Sequence, residues 1–196
     1  MKKDTLKFYS KIYDPLFKKN YTKCSDRGIE SLSIFKKFSK SNNIKIKNVI
    51  DVGCAWGKTL KYWNKKGIKA VGVDISNITV KFCIKKGFKC YKASATDLSV
   101  FRDKKFDLYM SSDVYEHLRE DDLPYAIEEA KRITKKYLLI RPHPCLDKRG
   151  SSDIKKALHL TVWTIEKWED FFKDHGLKII KIGETISDNV FLMEIE

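Results

Sequence analysis

A short apolar run, Val49-Ile50-Asp51-Val52, breaks into Gly53-Cys54-Ala55-Trp56-Gly57 and resumes as Lys58-Thr59-Leu60-Lys61-Tyr62-Trp63. This is a buried strand, a tight turn of small residues and a helix, and it constrains the fold more than any other feature of the chain. Small residues at such a turn let a ligand approach the backbone N–H groups at the helix N-terminus. A glycine-rich turn alone is weak evidence, but a second strand, Val71-Gly72-Val73-Asp74, ends in an acid 23 residues after Asp51. A carboxylate at the end of that strand is placed to accept hydrogen bonds from two ribose hydroxyls.

The alternation continues along the chain. Helical spacing of apolar residues predicts N-terminal helices over 4–18 and 26–40. Strands follow at 49–52, 70–73, 88–92, 106–110 and 137–140, with helices at 58–66, 78–86 and 123–135 between them. This order implies a parallel sheet with helices on both faces. The tail departs from it: a helix over 164–175 is followed by two strands in succession, 177–182 and 190–195, which predicts an antiparallel hairpin at one edge. The segment 143–160 is long, polar and aperiodic, as lids and substrate loops often are. Pro142 and Pro144 should stop the fifth strand at its carboxyl end, where ligands bind in open α/β sheets.

Charge and cysteine usage narrow the partners. The net charge of +14 invites a nucleic-acid reading. Yet of the 40 basic residues 34 are Lys and six Arg, the better phosphate fork, and the lysines are spread in pairs along the whole chain. Solvated faces are the favoured reading, and nucleic acid is not the favoured partner. The five cysteines, Cys24, Cys54, Cys83, Cys90 and Cys145, form no CxxC or CxxxC pair. Neither a disulfide framework nor a structural zinc site is expected, and a reducing, cytoplasmic location is. The opening MKKDTLKFYSKIYD lacks the apolar core of a secretory signal, and no stretch has the roughly 20 apolar residues that cross a bilayer.

With these segments in view, the chain resembles the class I S-adenosylmethionine-dependent methyltransferases, in their small-molecule and sugar-type branch. Asp51-Val52-Gly53-Cys54-Ala55-Trp56-Gly57 is similar to the family's D-x-G-x-G-x-G, with Ala55 at the middle glycine. An acid opening that motif also argues against a pyrophosphate, which Asp51 would repel. Lys92-Ala93-Ser94-Ala95-Thr96-Asp97-Leu98 resembles G-D-A-x-x-L, with Ser94 where the family has Asp. The segment from Phe106 to Leu118, FDLYMSSDVYEHL, is similar to F-D-x-V-x-x-x-x-V-L-E-H-L, and His159 to Thr164 to H-x-x-x-[WY]-[ST].

The resemblance implies a Rossmann-like, doubly wound, mainly parallel seven-stranded sheet with a C-terminal antiparallel hairpin. It implies one domain overall, with residues 1–44 as a helical cap on a methyltransferase region at 45–196. S-adenosylmethionine is the implied cofactor. Asp51 would lie near its amino group, Asp74 on the ribose and Ile75 against the adenine. Gly53, Cys54, Ala55, Gly57, Ser94, Ala95, Thr96, Ser111, Asp113 and Tyr13 complete the expected cofactor site, with Tyr9 and Tyr21 as further candidates to cover the donor.

Methyl transfer asks an enzyme mainly to align donor and acceptor, exclude water and remove a proton from an O or N acceptor. Glu116, His117, His143 and His159 are the candidate bases. His175, before Gly176, reads instead as a helix cap. No tight metal-ligand spacing joins Asp113, Glu116 and the three histidines, so no metal is assigned. A small or nucleotide-linked acceptor, with a sugar favoured by analogy to the His143–Trp168 stretch, is the expected substrate. Another small metabolite such as a quinone, a nucleic acid, or a non-catalytic cofactor-binding role are the alternatives.

Overall fold

The computed structural model describes residues 4–21, 23, 25–143, 158–182 and 190–196. The expected loop at 143–160 and Cys24 and Cys145 thus lie largely or wholly outside the described residues. Two helices, α1 (Asp4–Lys18) and α2 (Arg27–Ser41), precede β1 (Asn48–Val52), α3 (Lys58–Lys65), β2 (Lys69–Asp74), α4 (Asn77–Lys85) and β3 (Lys89–Lys92). Then come β4 (Phe106–Ser112), α5 (Leu123–Ile133), β5 (Thr134–Arg141), α6 (Ile165–Asp174), β6 (Leu177–Ile182) and β7 (Phe191–Ile195).

The seven strands form one sheet in the order β3-β2-β1-β4-β5-β7-β6. β1 to β5 pair in parallel, whereas β7 runs antiparallel between β5 and β6. The order reverses beside β1, with β2 on one side and β4 on the other. The chain leaves the carboxyl end of β1 towards β2 and that of β4 towards β5, in opposite directions along the sheet, and the crevice between them is where open α/β sheets bind ligands.

Strand side chains alternate between two apolar cores, as a two-faced sheet requires. Ile50, Val52, Tyr109, Leu138, Ile140 and Phe191 pack on one face with α5 and α6, where Ala126, Ile127, Ala130, Trp168 and Phe172 are buried. Val49, Leu108, Met110, Leu139 and Leu192 pack on the other with Leu32, Phe35, Leu60 and Trp63 of α2 and α3. Each fully buried Leu, Ile, Val, Met or Phe among them contributes about 1.5–3 kcal/mol, so the two cores hold the sheet from both sides.

Local chemistry fixes the element ends. Ser76 caps α4 by accepting from Ile78 N–H, and Thr164 caps α6 by accepting from Lys167 N–H. His175 sits at the C-terminal cap of α6, with Nδ1 2.7 Å from the Phe171 carbonyl. One boundary differs from the sequence reading. α5 ends at Ile133, and β5 starts at once with Thr134, which is fully buried and pairs with Phe106. Thr134 and Lys135, at the end of the expected helix, lie on the strand, where Lys135 reaches Asp107 and Lys136 reaches Glu194 at 2.7 Å each.

Candidate active site

A cavity of about 610 Å³ opens above the carboxyl ends of β1, β2 and β4. Its floor is the turn after β1. Gly53 holds φ +85°, and a Cβ there would run into the Val114 side chain, so the backbone at this point must stay bare. Gly57, at φ +70°, caps α3 but does not itself line the cavity. Ala55 adopts φ +45°. The glycine usual at this position would be free in that region, whereas alanine carries a steric cost there.

Asp74 holds this turn in place. Its Oδ2 accepts from Ala55 N–H at 2.8 Å and its Oδ1 from Ser76 N–H at 2.9 Å. The carboxylate is therefore a buried brace for the turn as well as a group facing the cavity, with further lone pairs available to a ligand. Burial pushes its pKa up to about 6, against the opposing effect of those amide bonds. Asp51, at the end of β1, accepts from the Thr59 hydroxyl, and burial pushes it up to about 7. Two buried carboxylates this close to their ionisation point would gain from a cationic ligand group.

Of the other expected cofactor residues, Tyr13, Cys54, Ile75, Ser94, Ala95 and Asp113 line the cavity. Thr96 and Ser111 do not. Ser111 is buried and donates to the Val52 carbonyl at 3.0 Å, tying β4 to β1. Thr96 lies behind Ser94, with its amide donating to Ser94 Oγ at 3.2 Å and the two hydroxyls 2.8 Å apart.

The opposite wall comes from elsewhere in the chain. Tyr9, Tyr13 and Phe17 on α1, with Tyr21 and Trp56, form an aromatic side. The Tyr9 hydroxyl donates to Asp122 at 3.0 Å and accepts from Arg119 N–H, which anchors α1 over the site. Arg27, at the start of α2, was not foreseen. It reaches Asp113 at 3.0 Å, and Arg141 approaches the other oxygen of that carboxylate at 3.4 Å. Asp113 is thus a paired anion held at φ +55°. A guanidinium at the cavity wall suits a ligand carboxylate, but one arginine at a helix start carries no sequence signal.

The four candidate bases gather at one end. His117 and His159 rings lie 4.9 Å apart, and His143 and His159 5.1 Å. The His117 Nδ1 lies 2.9 Å from the Leu158 carbonyl, which fixes Nδ1 as the protonated nitrogen of the neutral ring and leaves Nε2 basic. Burial lowers its pKa, so the ring is neutral near pH 7. Glu116 is fully buried, and among the described residues no side chain donates to either oxygen. Burial raises its pKa well above the usual range, more than the nearby backbone amides of Glu116 and His143 lower it. Ligand atoms of Glu116, His117 and His159 all lie within 4.8 Å of one another. Such a set can accept a proton or hold a divalent cation, a juxtaposition that the sequence spacing did not reveal.

Residues 50–139 match the family described as "Methyltransferase domain". Solved structures with the same architecture include an S-adenosylmethionine-dependent methyltransferase from Aquifex aeolicus. It has a TM-score of 0.62 and 20% identity, over 84% of this chain and 87% of that one. Another is magnesium protoporphyrin IX methyltransferase from Synechocystis PCC 6803 with S-adenosylhomocysteine bound. Its TM-score is 0.66 at 17% identity, over 86% of this chain and 83% of that one.

The fold is the Rossmann-like methyltransferase fold.

Among curated proteins, the ubiquinone biosynthesis O-methyltransferase of Pelagibacter ubique is 31% identical over 111 residues. That match covers 53% of this chain and 45% of the relative, so the chain spans less than half the relative's length. The domain match and the methyltransferase fold support an enzyme that uses S-adenosylmethionine. Among the described residues, no helix is long and apolar enough to cross a membrane.

Proposed function

We propose that this chain is an S-adenosylmethionine-dependent methyltransferase acting on a hydroxyl or amine of a small acceptor. The observation that carries the proposal is one cavity with two chemically distinct ends. The glycine turn braced by Asp74 lies at one, and a buried neutral His117 with a basic Nε2 at the other. A volume of about 610 Å³ has room for an adenosyl amino acid and a small second molecule.

The residues fit the donor in turn. Asp74 has lone pairs left for the ribose hydroxyls, Ile75 and Ala93 to Ala95 offer an apolar slot for the adenine, and Ser94 brings a hydroxyl to it. Asp51 offers negative charge to an ammonium group, and Arg27 positive charge to a carboxylate. When bound, the sulfonium supplies an activated methyl group. The chain's own tasks are then to align the acceptor, exclude water and take its proton. His117 Nε2 takes that proton. The Leu158 carbonyl holds the ring in the correct tautomer, and His159 and Glu116 shape the acceptor end.

The acceptor that this wall suits best is a flat molecule with a weakly acidic hydroxyl. Tyr9, Tyr13, Phe17 and Tyr21 provide aromatic faces for it, in keeping with the quinone-pathway relative. The sugar reading rested on the His143–Trp168 stretch. Two of its residues have structural work instead: Trp163 donates to Glu120 at 2.8 Å, and Thr164 caps α6. The test is transfer of labelled methyl from S-adenosylmethionine to three pools: phenolic and other small metabolites, nucleotide-sugars, and total RNA and DNA. Label in the first pool supports the full reading, and label in the second restores the sugar acceptor. Label in nucleic acid, or S-adenosylhomocysteine binding with no transfer to any pool, overturns it.

A further inference from the structure

Three cysteines, of which only Cys54 also lines the donor cavity, come together at the ligand turn. Cys54 follows β1, Cys83 lies on α4 and Cys90 on β3, and all three are buried and free of disulfides. Their sulfur atoms lie within 4.8 Å of one another, with Cys54 and Cys90 3.6 Å apart. Two glycines clear the space. A Cβ on Gly72 would stand 2.7 Å from the Cys54 sulfur, and one on Gly57 2.9 Å from the Cys83 sulfur. Gly72 pairs with both Asp51 and Cys90 in the sheet, so the missing side chain lets Cys54 lie across β2 towards Cys90.

We propose that Cys54, Cys83 and Cys90 form a binding site for one soft, thiophilic d10 cation such as Cu⁺, with Cd²⁺ as a laboratory surrogate. An ion about 2.3 Å from each sulfur in a trigonal arrangement spaces the sulfurs by roughly 4 Å, within the range of the observed triangle. Sulfur ligands select soft ions, and no oxygen or nitrogen side chain joins this cluster among the described residues. On binding, each S–H proton is released to solvent as a metal–sulfur bond forms, and no electron is transferred. Absence of a CxxC pair argued against such a site in sequence, since that spacing marks ligands on one turn. Here three separate elements supply one ligand each.

Bound metal would clamp Cys54, and with it the turn whose Ala55 amide is held by Asp74. The test uses the reduced full chain with Cys24→Ser and Cys145→Ser, titrated without oxygen with Cd²⁺ and then with Cu⁺ under chelator competition. The expected result is one ion per chain, a near-ultraviolet sulfur-to-metal absorption band and protection of all three thiols from iodoacetamide. Cys90→Ser and Cys83→Ser should each weaken binding by at least about tenfold. His117→Ala with His159→Ala should leave the band unchanged, because those ligands belong to the other cluster. No band, alkylation of the three thiols despite bound ion, or a band lost with the histidines would overturn the proposal. Because no readout is methyl transfer, the proposal stands or falls independently of the assigned reaction.

Discussion

The two ends of the cavity are built in opposite ways. The donor end is local: Asp51 to Thr59 and Asp74 to Ser76 form a strand-turn-helix and its neighbour, joined by backbone amides. The acceptor end is assembled from distant parts, with α1, the turn carrying Glu116 and His117, and residues 158–159 meeting across the chain. Backbone and small residues make the first, and buried aromatic and titratable side chains the second. A turn that must bind the same donor in many proteins is specified by geometry. An acceptor wall can change whenever its side chains do, which is why fold and donor site are shared more widely than substrate.

The sharpest way to break this division is to remove Asp74. Asp74→Ala withdraws the brace on Ala55 N–H and the proposed ligand contact, so S-adenosylhomocysteine affinity should fall by about a hundredfold, as for lost hydrogen bonds to a charged group. Thermal unfolding should show some loss of stability too, because the carboxylate is buried and bonded on both oxygens. Unchanged calorimetric affinity would dissolve the donor end as described. At the acceptor end, His117→Gln should lower kcat by about 10²–10⁴-fold, the usual worth of a general base. Donor affinity should stay as it was. A His117→Gln enzyme that turns over normally would remove the base from the account.

pH separates the ends by a different route. Rate should fall on acidification through a pKa below the usual histidine value of 6.5, since burial lowers His117 and only the neutral ring accepts a proton. Asp74, at about 6, and Asp51, at about 7, have raised pKa values in the fold. The stability they gain by holding protons is complete below the ordinary carboxylate range and is lost as pH rises through 6 and 7. The ammonium group of a bound ligand offsets that loss. The increase in melting temperature given by S-adenosylhomocysteine should therefore be larger at pH 8 than at pH 5.5, and equal shifts would argue against ionised carboxylates in the complex. The smallest effect concerns the turn alone. Ala55→Gly relieves the positive φ and should change stability by no more than about 1 kcal/mol, in the stabilising direction, unless the flexible glycine costs as much in the unfolded chain. Urea unfolding measures it.

Legibility followed the same division. Helices and strands fell close to their expected positions because both sheet faces are buried and turns carry glycine or capping residues. The α5–β5 junction did not, because Lys135 and Lys136 form cross-strand ion pairs that a sequence pattern cannot distinguish from a solvated helix end. Around the cavity, Asp51, Gly53 and Asp74 were legible as cavity-lining positions because each lies at or just after a strand end, Asp51 and Gly53 at β1 and Asp74 at β2. Arg27 with Asp113, Tyr9 with Asp122 and the three-cysteine cluster were not, because each joins residues far apart in sequence with no repeat or spacing to announce them. Thr96 and Ser111 matched motif positions, yet their hydroxyls serve Ser94 and Val52.

The central claim is that the glycine turn and its two carboxylates form a donor site for S-adenosylmethionine. Calorimetric titration of the reduced wild-type chain with S-adenosylhomocysteine at pH 8 tests it most directly. The account predicts one molecule bound per chain, with affinity that weakens as the pH is lowered through 7 and 6. No binding, or binding indifferent to both that pH change and the loss of Asp74, would contradict it.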